Sequence, residues 1–423
     1  MDRQEQRIKK EYLTSFIVAY VIAVKGMNQL IGAILGRTDG IMMISLIFIS
    51  GLLVLHFFIS DKNENLNLNK KSLLFVYYIV SIIAVYKYAY QYGSVSYEEL
   101  FVFVLIPIYI SFYKIDVKQV LKYLTFLSVL ILPFSGTFFK SNATIGFETI
   151  GMTASYNTLV FVVAAALHFL FYKKNAGILM WLGYAINIYY LVKILTLGNR
   201  GVFISIVVFF VLLLLHEFDE NGKIKKNKAK TIFIVTVVGC LVIYVVNDFE
   251  NILRTIDIWL KSMSIEISAI SKNVQKLAQG DITNGRQMIT IFTKEGIKNK
   301  PFFGNGISTM LRNSGYTIAY PHNVFLQLWY DLGIFVSIPL FYMIVKATIK
   351  TFFDSSISKD YSILLIFLYT LSIPRLCVSS QLWVDIPFWF LMMYTITPNI
   401  YENSESSDLE EFTQKEFLND ERI

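Results

Sequence analysis

Apolar residues in this chain come in long unbroken runs rather than in alternation with polar ones. Twelve such runs, at 13–34, 40–60, 72–91, 98–113, 119–134, 153–172, 176–195, 201–216, 231–247, 323–345, 361–377 and 383–398, punctuate the sequence. Each approaches the length that carries a helix across a hydrocarbon core of about 30 Å. Membrane strands would alternate with a period of two, so continuous runs predict helices. The pattern predicts an all-α fold, a polytopic bundle of about 12 transmembrane helices.

One long polar stretch interrupts the runs. Residues 1–247 hold the first nine predicted spans, 248–322 form a single large loop, 323–398 hold the last three spans, and 399–423 form a polar tail read as disordered. Within the loop, Ile252, Ile256, Trp259, Met263, Ile267, Ile270, Val274 and Leu277 recur at steps of three and four. That spacing predicts an amphipathic helix that packs on the bundle or lies in the membrane surface. Arg286 to Lys298 predicts a second helix, and Pro301 to Gly306 a turn.

Composition agrees with a membrane class. The chain is 55% hydrophobic over 423 residues, more apolar surface than a water-soluble domain could hide. Met1–Glu11 is charged and no small-residue cleavage site follows the first apolar run, so that run is expected to remain as the first span. Cys240 and Cys377 fall in predicted spans and imply no disulfide framework.

The net charge of +7 does not point to nucleic acid, because the lysines sort by loop. Loops with Lys62, Lys70 and Lys71, with Lys114 and Lys118, with Lys173 and Lys174, and with Lys223 to Lys230 alternate with loops that hold few. By the positive-inside rule the lysine-rich set is cytoplasmic. Twelve spans then put both termini in the cytoplasm and the large loop outside. The two halves show no internal repeat, which counts against transporters built from matched halves.

The candidate chemistry lies at that outer side. Arg200 stands in Leu197-Gly198-Asn199-Arg200-Gly201, a short turn between the seventh and eighth spans. It reads as an anion clamp or as a snorkelling anchor; flanking glycines let a phosphate approach, and a guanidinium grips two oxygens at once. Arg286 opens the second loop helix, where a cation opposes the helix dipole unless an anion is bound; pairing with Asp281 is the structural alternative. Arg375 follows Pro374 near the outer end of the eleventh span and is a further anion-binding candidate. His322, between Pro321 and Asn323, is the histidine assigned to the outer face, and imidazole suits proton acceptance near neutral pH. Tyr156 and Asn157 near the outer end of the sixth span are candidates for sugar hydroxyls. No CxxC, HExxH or external D-x-D pair is present, so no metal ligand set and no soluble cofactor is expected.

These pieces resemble the O-antigen ligase and Wzy-type polysaccharide polymerase superfamily of bacteria. Asn199-Arg200-Gly201 resembles its Ser-Arg-Gly turn. Asn284-Gly285-Arg286 with Pro301-Phe302-Phe303-Gly304-Asn305-Gly306 resembles its G-R … P-x-x-G-x-G segment. Pro321-His322-Asn323 with Leu326 and Asp331-Leu332-Gly333 resembles its H-N … L … E-x-G block. Asn199 and Asp331 depart from the usual serine and glutamate. The resemblance implies a metal-independent glycosyltransferase of the membrane-embedded C-type class, acting on glycans carried by undecaprenyl pyrophosphate. Arg200 and Arg286 would hold the pyrophosphate, with His322 acting near the acceptor hydroxyl, and Asn323 beside it as a substrate contact.

The expected activity is polymerisation of lipid-linked repeat units into capsular polysaccharide or O-antigen at the outer face of the cytoplasmic membrane. The alternative enzyme is a ligase that moves finished glycan to a lipid A core or another envelope acceptor. Expected partners are the lipid-linked glycan, the bilayer, and a chain-length regulator and flippase of the same pathway. A flippase or other transporter is the alternative from another class. It would line a path with charges deep in the spans; Lys25, Lys87 and Lys193 lie there, but no acidic residue neighbours them in sequence.

Overall fold

A computed structural model describes residues 3–36, 40–59, 69–89, 93–140, 147–173, 176–196, 200–218, 224–225, 233, 236, 249–263, 274, 286–315, 317–354 and 357–397. Helices dominate: α1 (Arg3–Leu35), α2 (Ile41–Ile59), α3 (Lys70–Ala89), α4 (Tyr97–Leu100), α5 (Ile106–Ile110), α6 (Val117–Lys140), α7 (Phe147–Tyr172), α8 (Ile178–Thr196) and α9 (Arg200–Leu215) precede the loop. The loop contributes α10 (Phe249–Ser262), α11 (Arg286–Asn299) and α12 (Met310–Asn313), and α13 (Val324–Phe353), α14 (Lys359–Leu376) and α15 (Ile386–Ile396) follow. The one β element among the described residues is a two-residue antiparallel ladder, β1 (Glu217–Phe218) with β2 (Ile224–Lys225), beside the lysine cluster.

Seven helices among the described residues are long and apolar enough to cross a membrane: Lys10–Leu35, Ile41–Ile59, Lys70–Ala89, Val117–Phe134, Thr153–Tyr172, Ile178–Leu195 and Val324–Phe353. Gly201–Leu215 and Ile386–Ile396 are apolar but shorter. The predicted fourth span, 98–113, is not one regular helix: α4 runs through a π turn, Phe101–Leu105, into α5. Pro107 explains the irregularity, since it has no N–H to return to the preceding turn. The predicted span 231–247 lies almost wholly outside the described residues, as do residues 264–273 of the predicted loop helix, whose described part is α10.

The helices sort into an inner and an outer set. Every residue of α15 is buried, and so is α14 from Tyr361 to Leu376. Trp383, just before α15, and Phe388, Trp389 and Phe390 in its first turns are fully enclosed. Around them α2, α3 and α8 turn Phe58, Tyr77, Ile178 and Ile188 outward, each more than half exposed. Water would oppose that arrangement, and lipid chains do not. The inner position of α14 also explains its composition. Shielded from lipid, it tolerates Ser362, Thr370, Ser372 and Arg375 at buried positions.

Candidate active site where the loop meets the inner helices

The end of the large loop is fastened to α13 through a break in that helix. Asn323 starts α13 as N-cap, its Oδ1 accepting from the amides of Phe325 (3.0 Å) and Leu326 (3.1 Å). Ten residues on, Gly333 adopts φ 73°, ψ 170°, which only glycine tolerates readily. The break frees backbone groups that a continuous helix would pair internally. The turn Pro301–Gly306 takes them up: Ile334 N donates to Pro301 O (2.9 Å), Asn305 N to Tyr330 O (2.7 Å) and Gly306 N to Asp331 O (2.9 Å). Gly304, at φ 70°, packs so closely on Asp331 and Gly333 that a Cβ would strike their backbone, and Gly333 stands likewise against Phe302 and Phe303. Tyr86 of α3 seals the joint, its hydroxyl 2.8 Å from both Phe303 O and Leu332 O. The P-x-x-G-x-G turn and the D-x-G segment, separate in sequence, are thus two halves of one joint.

Asp331 ties this joint to the connection between α14 and α15. Its buried carboxylate accepts from Trp383 Nε1 at 2.7 Å and lies 3.5 Å from Gln327 Nε2. Gln327 Oε1 accepts from Leu382 N (3.0 Å), and Gln381 Nε2 donates to Ser308 Oγ (2.7 Å). Residues 377–385 are thereby held from the loop side as well as by their own helices.

That connection carries the next contacts. Tyr320 OH donates to Ser379 O (3.1 Å), and the Tyr320 ring lies against His322 with centroids 4.3 Å apart. Ser379 Oγ hydrogen-bonds the Tyr156 hydroxyl of α7. Above the Tyr156 ring, 5.3 Å from its centroid, sits the guanidinium of Arg375. Arg375 donates through Nε (2.7 Å) and Nη2 (2.6 Å) to Asp385 Oδ2, while Asp385 Oδ1 caps α15 at Phe388 N (3.1 Å). A small pocket lies beside this pair, lined by Ile22, Lys25, Asn157, Val160, Arg375, Val384, Ile386 and Pro387. Lys25 Nζ donates to Val384 O at 2.8 Å.

His322 itself adopts φ 57°, in the left-handed region that a side chain rarely occupies. The strain persists because both flanks are fixed, Tyr320 by Ser379 and Asn323 by its cap. Such outliers gather where geometry serves function.

The structure therefore brings Arg375, Tyr156 and Asn157 into one place and joins His322 to them through Tyr320 and Ser379. Asn323 stands next to His322 with its side-chain oxygen engaged as the cap. The side chains of Arg200 and Arg286 lie outside the described residues. Their backbones open α9 and α11. Gly201, one residue after Arg200, is so close to Tyr156 and Ser379 that a Cβ there would overlap both side-chain oxygens. The Arg200 backbone thus reaches this cluster. The helix that Arg286 opens packs along α13, where Gly296 admits the Tyr330 ring and Ile297, Met310 and Tyr330 form a small core.

Sequence reasoning missed Ser379, Tyr320, Asp385, Gln327 and Trp383 as parts of this arrangement. Only Asp385 left a local signal, an aspartate directly before Ile386-Pro387, which marks a helix start. The others acquire meaning only from partners far away in the chain. No curated protein and no solved structure matches this chain. Residues 185–341, from α8 into α13, match the family model described as O-antigen ligase, which supports the resemblance to the O-antigen ligase and Wzy-type superfamily.

Proposed function

We propose that the chain is a glycosyltransferase that joins lipid-linked oligosaccharide repeat units into a capsular polysaccharide or O-antigen. The donor in this reading is a glycan on undecaprenyl pyrophosphate, and the reaction takes place at the outer face of the bacterial cytoplasmic membrane. Twelve spans, cytoplasmic termini and an extracytoplasmic loop at 248–322 belong to the same proposal. The observation that carries it is the convergence of His322 and the start of α9, both within the matched residues 185–341, with Tyr156, Asn157 and Arg375 from outside them.

The chemistry is a displacement at the anomeric carbon. The bond from that carbon to the pyrophosphate oxygen breaks as the acceptor hydroxyl oxygen bonds to the carbon. The acceptor proton passes to His322, which is placed at the loop edge of the cluster. Negative charge grows on the departing pyrophosphate, and Arg200 and Arg286 stabilise it. Arg375, Tyr156, Asn157 and Asn323 contribute to substrate binding. The leaving group is already activated, so the step requires no metal.

Each of Arg200→Ala, Arg286→Ala and His322→Ala is expected to lower transfer by at least about 100-fold, the size typical for a lost acid–base or charge-stabilising group. The measurement is glycan chain length on gels from cells and from purified enzyme, with membrane abundance as control. Normal polymer from any two of the three variants would reject the assignment. Activity should persist in EDTA; loss that added Mg²⁺ or Mn²⁺ restores would contradict the metal-free step. The ligase reading is favoured by the description of the matched family. It predicts transfer to a lipid A core in place of growth of the repeat polymer, and supplying both acceptors decides between them.

A further inference from the structure

The pocket beside Arg375 has an unbalanced set of polar groups. Three of its lining residues present hydrogen-bond donors: Lys25 from α1, Asn157 from α7 and Arg375 from α14. Arg375 is neutralised by Asp385. Lys25 has no acidic residue in ion-pair contact among the described residues; it has the carbonyl of Val384 at 2.8 Å and the Phe103 ring 5.0 Å away. Asp385 and Glu99 act on Lys25 only at longer range; Asp385 is already paired with Arg375, whose own charge opposes that of Lys25, and the Glu99 carboxylate is engaged by Ser96 N in the cap of α4. Asn157 is 9% exposed, and its amide nitrogen is buried without a hydrogen-bond partner. The remaining lining, Ile22, Val160, Val384, Ile386 and Pro387, is apolar apart from backbone.

A net positive charge and an unanswered donor are costly in such surroundings. Both costs fall if the pocket receives one group that is anionic and accepts hydrogen bonds. We propose that Lys25, Asn157 and Arg375 form a subsite for a single oxyanion of the substrate, a phosphate or a carboxylate, with Lys25 supplying its net charge. This rests on the transferase reading above only for what bears the anion: the phosphate of a lipid carrier or the carboxylate of an acidic sugar. Asn157 then recognises charge, where sequence alone pointed to sugar hydroxyls.

The proposal makes an uncommon prediction about stability. A lysine kept for the fold would weaken the protein when removed. A lysine kept for a ligand leaves an uncompensated charge in the empty pocket, so Lys25→Met should melt no lower than the parent chain. The experiment uses the full-length protein in nanodiscs and follows thermal unfolding with inorganic phosphate, inorganic pyrophosphate or glucuronate, against chloride at equal ionic strength. At least one oxyanion should raise the melting temperature of the parent chain. That rise should vanish in Lys25→Met and Asn157→Leu and persist in Lys25→Arg. A phosphate or pyrophosphate response assigns the carrier, and a glucuronate response assigns an acidic sugar.

In transfer assays Lys25→Met should raise donor KM at least tenfold with kcat kept within twofold. If Lys25→Met does not fold, Lys25→Gln takes its place and the same comparison applies. Equal oxyanion responses in the parent and in Lys25→Met (or Lys25→Gln), or none in the parent, would overturn the subsite. An oxyanion response in a protein that transfers no glycan would sink the transferase reading and leave the subsite standing; transfer without any such response would do the reverse.

Discussion

Gly333 shows how one residue can set the geometry of a distant site. Its φ of 73° with ψ of 170° lies where a Cβ is not tolerated, and its position against Phe302 and Phe303 leaves no room for one. Gly333→Ala is therefore expected to destabilise by at least about 2 kcal/mol, the strain of the backbone adding to a clash with main-chain atoms that cannot swing aside. Differential scanning fluorimetry in detergent would read this as a clear fall in melting temperature, and an unchanged value would refute the joint. Asp385 makes the second residue-scale case. Asp385→Ala leaves the buried Arg375 guanidinium without its partner and α15 without its cap. Breaking a buried ion pair costs about 3–5 kcal/mol, so this variant should lose more stability than Arg375→Met made together with Asp385→Leu. Equal losses would mean that the pair is not isolated from solvent.

At the scale of elements, the informative unit is the joint between Pro301–Gly306 and the broken α13. Hydrogen bonds from three backbone amides cross it, and Tyr86 and Asp331 brace it from two sides. Because Asp331 accepts from Trp383, the joint also holds the connection 377–385 on which Ser379 presents oxygens to Tyr156 and Tyr320. Asp331→Ala orphans the Trp383 indole N–H and should cost about 1–3 kcal/mol, while Asp331→Asn, which keeps an acceptor in place, should cost less. Transfer activity should fall in the same order. Activity unaffected by Asp331→Ala would show that the connection holds itself.

At the scale of the whole molecule, the arrangement is a sheath around a polar-bearing centre. Helices α14 and α15 are enclosed, and the exposed apolar faces of α2, α3 and α8 mark the lipid boundary. The sidedness proposed from lysine placement is open to direct test. With Cys240 and Cys377 replaced by serine, Lys298→Cys on α11 should react with a membrane-impermeant maleimide in intact cells, and Lys226→Cys should not. The opposite labelling would place the candidate site on the cytoplasmic side and remove the functional reading with it.

The sequence by itself determined the apolar surroundings and the helical character of the long runs, and it carried the resemblance that the match over residues 185–341 supports. Run length is set by bilayer thickness and helix type by continuous apolarity, both local properties that need no partner to be seen. The segment 98–113 was expected as one regular span and is not, because a single proline changes winding without changing hydropathy. His322, Tyr156, Asn157 and Arg375 were legible as candidates because polar residues near span ends are few. Their assembly was not legible. Lys25, Asn157 and Arg375 come from three helices, and Ser379 reaches Tyr156 across 223 positions of sequence. Such meetings are decided by how helices pack, and packing depends on the shapes and unpaired polar groups of all the surfaces at once. Tertiary structure also changed what two motifs mean, turning the glycine-rich turn and the D-x-G segment from separate signatures into a single mechanical contact.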